Sequence, residues 1–232
     1  MKRVLLKLSG EALSGKKKSG YDEETVQDVV RQIKELSDMG LQISVVIGGG
    51  NFWRGRTSED MDRVKADHIG MLATIMNCIY VSDMMRIEGV KTRIMTPFYC
   101  GNMTELFSRD RAIECLEAGE IIFFAGGTGH PFFSTDTATI LRAVETNSQC
   151  VLMAKAVDGV YDSDPKKNPK AKKYDFMPMS DVIEKKLGVI DTAAAALAIE
   201  NKMPVRVFAL KKTDSIIKSI NNNFKGTYLN CV

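Results

Sequence analysis

The chain has few of the residues that would indicate a metal-binding or disulfide-bonded protein. Its five cysteines form no Cys-x-x-Cys pair, and their odd number argues against a complete disulfide framework. Only two histidines are present, His68 and His130, without a His/Cys ligand spacing, so we expect no zinc site held by protein ligands. Cys78, Cys115 and Cys150 lie in apolar runs, which predicts that they are small core residues.

Long apolar runs and a strong net charge are also lacking. No uninterrupted apolar stretch reaches the roughly 18 residues that a transmembrane helix requires, and the chain begins on a strand pattern without a signal-peptide layout. We therefore expect no membrane segment and a reducing, cytoplasmic location. The formal net charge of +3 gives no reason to expect an obligatory nucleic-acid partner. Lysines cluster at 16–18 and between 166 and 173, which we interpret as solvated loops.

Strand and helix patterns alternate along the chain, which predicts an α/β fold with a mostly parallel sheet. The 232 residues are 44% hydrophobic, enough for one substantial core. No linker-like or low-complexity segment interrupts the pattern. Residues 1–232 are therefore expected to form a single domain.

Capping residues and apolar spacing predict the main helices. Asp22 is the expected N-cap of a helix that ends before Gly40, and residues 63–88 form one long helix or two joined ones. Because apolar residues cover more than one face of segment 63–88, it either crosses the core or packs on another subunit. Residues 227–229 are predicted as an edge strand. Further expected N-caps are Ser108 or Asp110, Ser134, Ser180 and Asp191.

Four glycine-bearing segments follow runs that are typical of buried strands. The runs are 4–8, 43–47, 121–125 and 151–154. The segments that follow them are 7–10, 48–51, 126–129 and 158–161. Loops at the carboxyl ends of parallel strands line one crevice, and glycine lets a backbone approach a phosphate closely. The pattern predicts one site that holds more than one phosphate group.

Residues 10–17 resemble the P-loop pattern without fulfilling it. Lys17 occupies the position of the Ser or Thr whose hydroxyl should hold Mg²⁺. The segment also continues into further lysines, whereas a P-loop leads directly into a helix. A P-loop nucleotide hydrolase is thus a disfavoured alternative, which hydrolysis of ATP without an acceptor would support.

Cationic side chains beside the glycine segments suit phosphoryl transfer. Lys7, at the end of the first strand, would place an ammonium group beside free backbone N–H groups, and phosphoryl transfer depends on positioning and electrostatic stabilisation. Arg54 and Arg56 follow the second glycine segment and are suited to fork onto phosphate oxygens. Asp136 is expected to orient Lys7 through an ion pair. Taken alone, Lys7 also fits a strand-terminal lysine that reaches solvent.

Acidic and aromatic side chains suit a nucleoside. Asp67 interrupts a mostly apolar helix and is suited to accept a hydrogen bond from a ribose hydroxyl. Its neighbour His68 is expected to make a structural hydrogen bond. Phe132 and Phe133 either flank a base or fill core space.

Two segments near the C-terminal half add further candidates. Tyr161 is suited to lie against a planar ring, and Asp164 to accept hydrogen bonds from a purine or a ribose. Asp191 precedes an alanine-rich helix. It fits an N-cap and a catalytic carboxylate equally well, so both interpretations stay open.

Five segments in this order resemble the amino acid kinase superfamily. They are 6–13, 45–51 with Arg54, 66–74, 128–136, and 157–161 with Asp164-Pro165. Related kinases of aspartate, acetylglutamate or carbamate open differently and lack the Asp67-His68 pattern. Within the superfamily the chain is similar to the bacterial-type uridylate (UMP) kinases, from Lys2 to about Thr227.

The resemblance implies a three-layer α/β/α fold and transfer of a phosphoryl group from ATP to UMP, a step of pyrimidine nucleotide biosynthesis. The N-terminal part would mainly bind UMP and the C-terminal part mainly ATP, with Mg²⁺ carried mainly by phosphates and no metal site on the protein. The resemblance also implies a homohexamer, with inhibition by UTP and activation by GTP as regulation. The loop linked to the GTP effect comprises Gly15, Lys16, Lys17, Lys18, Ser19 and Gly20.

The resemblance assigns roles to individual residues. Catalytic roles fall to Lys7, Asp136 and Asp191. ATP contacts fall to Lys7, Leu8, Ser9, Gly10, Gly50, Arg54, Lys155, Tyr161 and Asp164, the last three near the adenosine. UMP contacts fall to Gly49, Asp67, Thr128, Gly129, His130, Pro131, Phe132, Phe133, Ser134 and Thr135. His130 departs from the usual Asn at its position, which is expected to alter the pH dependence.

Two alternatives to a uridylate kinase stay open at this point. One is a related superfamily kinase that acts on another small acidic substrate, which a substrate panel would detect. The other is a non-catalytic regulator that binds UMP or UTP without turnover. The joint presence of Lys7, Arg54, Asp67 and Asp136 argues against lost activity.

Overall fold

The computed structural model describes residues 1–17, 19–53, 61–165, 167–210, 214–221 and 224–231. The predictions made for Lys18, Arg54, Arg56 and Lys166 lie outside these ranges. The strands are β1 (Arg3–Leu8), β2 (Gln42–Ile47), β3 (Thr92–Thr96), β4 (Glu105–Leu106), β5 (Ile121–Phe124), β6 (Cys150–Lys155), β7 (Val160–Tyr161), β8 (Lys173–Tyr174), β9 (Phe176–Pro178), β10 (Val205–Ala209) and β11 (Thr227–Asn230). The helices are α1 (Gly10–Leu13), α2 (Glu23–Asp38), α3 (Arg63–Ile87), α4 (Arg109–Glu117), α5 (Thr135–Glu145), α6 (Met179–Glu184), α7 (Thr192–Glu200) and α8 (Ser215–Ser219).

Nine of these strands form one sheet in the order β4-β3-β5-β2-β1-β6-β10-β11-β9. Neighbours pair in parallel except for β10 and β11, which are antiparallel. β1 lies in the middle of the sheet, with Lys7 opposite Val46 of β2 and Met153 of β6. Strands covered on both faces read as continuous apolar runs, which is why β1, β2 and β6 were recognisable in the sequence.

Helices cover both faces of the sheet, so the predicted three-layer α/β/α fold is confirmed. One core cluster joins the sheet to α2, α3 and α8, and includes Ile33 and Val81. The other joins the opposite face to α4, α5, α6 and α7, and includes Ile140 and Ala194. Cys78, Cys115 and Cys150 are buried in these clusters, as predicted.

The predicted N-caps Asp22, Ser108, Ser134 and Asp191 all accept a backbone N–H at the start of their helices. The cap predicted at Ser180 is wrong, because α6 already begins at Met179. Pro178, which ends β9 in extended conformation, stands at the N-cap position instead. A strand thus leads into this helix without a loop for a capping serine.

The edge position predicted for residues 227–229 is wrong, and the structure narrows the alternatives for segment 63–88. Strand β11 is not at the edge, since it pairs with β10 on one side and with β9 on the other. Segment 63–88 forms the single helix α3, which packs on one face of the sheet and does not cross the core. Its outer side carries exposed apolar residues, among them Leu72, Met76 and Ile79. Within the described ranges, no helix combines the length and apolarity needed to cross a bilayer.

Candidate active site

The carboxyl ends of β5, β2, β1 and β6 lie side by side, because these four strands are parallel neighbours. The four glycine-bearing segments therefore follow strands that end at one edge of the sheet. The first two pack closely: a Cβ atom on Gly10 would lie 2.2 Å from the carbonyl oxygen of Gly48. Gly49 has a similar restriction, since its Cβ would lie 2.9 Å from both Ala73 and the Gly70 carbonyl. These glycines allow backbone segments to contact one another.

A buried carboxylate shared by two ammonium groups forms the centre of this edge. Lys7 Nζ lies 3.0 Å from Asp136 Oδ1, so the predicted ion pair is present. Lys155 Nζ donates to the other oxygen, Oδ2, at 2.8 Å. Lys7 and Asp136 are only 7% and 8% exposed. Lys155 thus reaches the charged centre, although the resemblance assigned it to the adenosine.

Opposing effects set the ionisation of this centre. Burial would raise the pKa of Asp136, but the charges of Lys7 and Lys155 outweigh it and lower the pKa to about 2. Burial lowers the pKa of Lys155, and the charge of Asp136 opposes that change. At neutral pH the Asp136 carboxylate is therefore ionised and holds the two ammonium groups in place.

The predicted free backbone N–H groups beside Lys7 do not include that of Ser9. The N–H of Ser9 donates to the carbonyl of Ala154 at 3.3 Å, so it is not free for a ligand. The reason is topological: pairing between β1 and β6 continues one residue beyond the end of β1. Leu8 is likewise engaged, since its carbonyl accepts the N–H of Gly48 at 2.9 Å.

Asp191 holds the starts of two helices together. Its carboxylate accepts the N–H of Ala194 at 2.9 Å, the Thr137 hydroxyl at 3.1 Å and the Ser134 hydroxyl. Ser134 in turn caps α5 by accepting the Asp136 N–H at 3.0 Å. The N-cap interpretation of Asp191 is thus confirmed, and its oxygens are occupied by three donors. Its catalytic role stays a prediction.

A cavity of about 740 Å³ opens beside Lys7 and Asp136. This volume is in the range of small-molecule sites. The starts of α5 and α7 face it, and a helix start favours an anion. Its polar and charged lining consists of Lys7, Ser134, Thr135, Asp136, Lys186, Asp191 and Thr192. We call it the donor cavity.

A second cavity, of about 100 Å³, lies on the other side of Thr135. It brings together Asp67 of α3 and three residues of the predicted UMP segment, Thr128, Phe133 and Thr135. Thr135 lines both cavities, so the two spaces adjoin at the residue next to Asp136. We call this smaller space the acceptor cavity.

Asp67 already has partners in this structure. Its Oδ2 accepts the Phe132 N–H at 2.8 Å and Arg63 Nε at 2.9 Å. The Arg63 guanidinium also lies 5.6 Å from the centre of the Phe132 ring. Phe132 has a φ of 71°, a left-handed conformation that is rare for a bulky residue. Strained backbone of this kind is frequent at ligand-binding sites.

Buried polar residues that no motif indicated hold these loops in place. Asn51 and Asn77 exchange side-chain hydrogen bonds of 3.1 and 2.8 Å, and Asn77 also donates to the Gly48 carbonyl at 2.7 Å. Thr74 accepts the N–H of Gly126 at 2.8 Å. A possible signal was the presence of Thr74 and Asn77 inside a mostly apolar helix. These bonds fix the second and third glycine segments against α3.

Several predicted residues lie away from the donor cavity. Tyr161 and Asp164 are outside its lining as far as the structure describes it, and the Tyr161 hydroxyl donates to Asp158 at 2.7 Å. In the loop linked to GTP, Lys17 Nζ donates to the Tyr21 carbonyl at 2.8 Å. His130 is exposed, and its N–H donates to the Thr128 hydroxyl at 3.2 Å.

The volume of a cavity is a poor guide to the chemistry here. A larger cavity, of about 1190 Å³, lies between α3 and the segments around β3 and β4, and its lining includes Arg86, Arg93 and Glu105. It does not include Lys7 or Asp136. We assign the chemistry to the donor cavity, because the paired charges of the sheet edge line it. Among the described residues, no group of three or more His, Cys, Asp or Glu side chains is arranged to hold a metal ion.

A charged centre at the carboxyl edge of a parallel sheet, between two adjoining cavities, defines a nucleotide-binding phosphotransfer protein. The model of the family described as "Amino acid kinase family" matches residues 2–209. The chain therefore belongs to the amino acid kinase family.

Individual relatives are more specific. The chain is 47% identical over 229 residues to a uridylate kinase of Rickettsia typhi, with 98% of this chain and 93% of the relative covered. Crystal structures of UMP kinases from Bacillus anthracis and Ureaplasma parvum each match with a TM-score of 0.93. Their sequences are 37% and 35% identical to this chain, respectively. Each match covers 99% of this chain, and the matches cover 96% and 98% of the two crystallised chains. Within the family, the chain groups with the uridylate kinases.

Proposed function

We propose that this chain transfers the γ-phosphoryl group of ATP to UMP and releases ADP and UDP. The observation that carries the proposal is the shared carboxylate of Asp136, which holds Lys7 and Lys155 beside the junction of the two cavities. The names of the relatives supply the acceptor, since each is a uridylate or UMP kinase. The reaction is a step of pyrimidine nucleotide synthesis, and we expect it to occur in the cytoplasm.

In the proposed reaction, ATP occupies the donor cavity, and UMP binds across the acceptor cavity, whose volume of about 100 Å³ admits only part of a nucleotide. A phosphate oxygen of UMP attacks the γ-phosphorus, and the bond to the β,γ-bridging oxygen breaks, leaving that electron pair on ADP. A nucleotide phosphate is already ionised at pH 7, so the attack needs no general base. Lys7 and Lys155 stabilise the charge that develops on the phosphoryl oxygens, which is the main contribution a protein makes to this reaction.

The residues of the site fit a magnesium ion that is carried by phosphates. Asp136 is shared by two ammonium groups, and Asp191 already accepts hydrogen bonds from three donors. Mg²⁺ usually takes only one or two carboxylates and otherwise water and substrate phosphates. When bound with ATP, it would neutralise charge on the triphosphate, with Asp136 and Asp191 as the nearest candidate carboxylates.

The proposal assigns further contacts to each nucleotide. Asp67 would accept a ribose hydroxyl of UMP, and residues 128–135 would surround its phosphate and base. Gly10, Gly50 and Arg54 would meet the donor phosphates. Tyr161 and Asp164 lie outside the described lining of the donor cavity, so their contact with the adenosine requires ATP to extend beyond that lining. One domain would supply both halves, the N-terminal part mainly for UMP and the C-terminal part mainly for ATP.

Assembly and regulation form a finer part of the proposal. The exposed apolar side of α3, with Leu72, Met76 and Ile79, supports self-association, and we propose a homohexamer. We also propose inhibition by UTP and activation by GTP. Light scattering tests the assembly, and a monomer at micromolar concentration would exclude it.

The decisive experiment measures ADP release from ATP and Mg²⁺ with UMP, CMP, AMP or no acceptor, with UDP confirmed by chromatography. Turnover that depends on UMP is the expected result. Turnover with another acidic acceptor but not with UMP would identify a different kinase of the family. Tight binding of UMP or UTP without turnover would identify a regulator.

A further inference from the structure

The donor cavity contains a cation that neither the motifs nor the resemblance assigned. Lys186, which follows the end of α6, lines this cavity together with Lys7, Asp136 and Asp191. It lies in the turn between α6 and α7. Within the described parts of the chain, its side chain forms no ion pair.

The charges of the cavity make this cation significant. The two ammonium groups of Lys7 and Lys155 are balanced by the two carboxylates of Asp136 and Asp191. Those four groups together provide no net charge for an anionic ligand. Lys155 contacts Asp136 from outside the described lining, so the lining itself would be net negative without Lys186 and is balanced with it. A flexible lysine stem in an open cavity is suited to follow a polyphosphate as a movable point charge.

A regular helix-ending turn positions Lys186 at the cavity. Its φ is 51°, in the left-handed region that favours glycine. The Lys186 N–H donates to the Ile183 carbonyl and the Leu187 N–H to the Val182 carbonyl, at 3.1 and 2.9 Å. This is the helix-ending motif in which glycine most often fills the left-handed position. Lys202 ends α7 in the same motif, with a φ of 52°, and does not line the donor cavity, so this turn places Lys186 without requiring a role for its side chain.

The preceding lysine provides a comparison within the same turn. Lys185 forms a 2.6 Å ion pair with Asp181, and its ammonium group lies 5.6 Å from the Tyr174 ring. It is not part of the described lining of the donor cavity. Of these two adjacent, exposed lysines, Lys185 has an acidic partner and lies outside the described lining, whereas Lys186 borders the site and forms no ion pair among the described residues.

We propose that Lys186 binds the polyphosphate of the donor nucleotide as a third ammonium group, supplied from the α6–α7 turn. The inference rests on the proposed function, since it takes ATP to occupy the donor cavity. Lys186 lines the donor cavity and not the acceptor cavity, so its contact is with the donor nucleotide and not with UMP.

The test compares Lys186→Ala, Lys186→Arg, Lys186→Gly and, as the matched control, Lys185→Ala. Calorimetry measures the binding of a non-hydrolysable ATP analogue with Mg²⁺ and, separately, of UMP. Steady-state kinetics measures KM for each substrate. Lys186→Ala should weaken analogue binding and raise KM for ATP about three- to tenfold, the range for one partly exposed charged contact, with UMP binding unchanged.

The other variants separate charge from backbone. Lys186→Arg should restore most of the affinity, because it keeps the charge. Lys186→Gly should lose affinity as Lys186→Ala does, although its backbone suits the turn. Lys185→Ala should bind the analogue like the wild type.

Several outcomes would overturn the inference. Unchanged analogue binding in Lys186→Ala would do so, as would an equal loss in Lys185→Ala, which would indicate a general surface-charge effect. A wild-type protein that does not bind the analogue would also exclude it. Failure of the proposed function is distinguishable, because it appears as analogue binding without transfer to UMP in the wild type.

Discussion

The donor and acceptor cavities adjoin at Thr135, yet they hold their carboxylates in different ways. Asp136 is buried, and its partners are the ammonium groups of Lys7 and Lys155. Asp67 has partners that lie at the surface: the Phe132 backbone N–H and the half-exposed Arg63. One carboxylate is thus held by buried charges, and the other by partners that are accessible from solvent.

This difference between the carboxylates matches the role proposed for each cavity. Electrostatic stabilisation of a transferring phosphoryl group is effective when the charges are fixed before the reaction. Recognition of an acceptor instead requires groups that exchange one set of hydrogen bonds for another. Variants on the donor side should therefore affect turnover and stability, and variants on the acceptor side should affect the apparent affinity for UMP.

The largest effect is expected for Lys7→Ala. Loss of a positioned cation should lower kcat by about 10³-fold or more. Asp136 keeps Lys155 as a partner, so the fold should survive, which circular dichroism and thermal unfolding can check. Near-normal turnover in a folded Lys7→Ala protein would refute the role of the donor side.

Asp136→Asn should destabilise the protein, because it leaves two buried ammonium groups without a counter-charge. The expected loss at pH 7 is about 3 kcal/mol or more. The folded pKa of Asp136 is lowered to about 2 from an ordinary 3.8, so its stabilising contribution is complete above the ordinary value. It is lost as the pH falls through this window towards 2.

Urea unfolding of the wild type and Asp136→Asn between pH 2 and 7 measures this effect. The difference in the free energy of unfolding should shrink at the acid end by roughly 2 kcal/mol. Asp110→Asn is the control, since the Asp110 side chain is 83% exposed and should show no such dependence. A difference that stays constant with pH would mean that the carboxylate charge is not what stabilises this centre.

Asp67→Ala should act on the acceptor side alone. Loss of a charged hydrogen bond is worth about 1.5–3 kcal/mol, so KM for UMP should rise by roughly ten- to a hundredfold, with kcat and KM for ATP little changed. Asp67→Asn keeps an acceptor for the Phe132 N–H and should recover part of the affinity. A fall in kcat without a change in KM for UMP would show that Asp67 acts in catalysis and not in binding of the acceptor.

Arg63→Ala should have the smallest effect. The Arg63–Asp67 pair lies one helical turn apart on α3, with the Arg63 side chain 41% exposed, and pairs of this kind contribute about 0.3–0.5 kcal/mol. KM for UMP should change by less than about threefold. A tenfold increase would instead make Arg63 a direct contact of UMP and extend the acceptor site beyond Asp67.

The features that the sequence predicted well are those with local or topological causes. Asp22 and Gly40 mark the ends of α2 by cap chemistry that is independent of the rest of the chain. The ion pair of Lys7 and Asp136 followed from parallel strands whose carboxyl ends share one edge. In both cases a short segment, or a general rule of sheet geometry, contained the necessary information.

The features that were missed depend on contacts between distant segments. Lys155 Nζ reaches Asp136 only because β6 lies next to β1, and the resemblance alone assigned it to the adenosine. The exchange between Asn51 and Asn77 joins a loop to the middle of α3. Strand β9 was hidden by its shortness and by Pro178, and only its pairing with β11 defines it.

The central position of β1 affects how the protein unfolds. Its amides are paired with β2 on one side and β6 on the other, and a strand of this kind exchanges its amide hydrogens only when the whole domain opens. Lys7 therefore stands on the segment that opens last. Heating should therefore abolish activity in the same transition that unfolds the sheet.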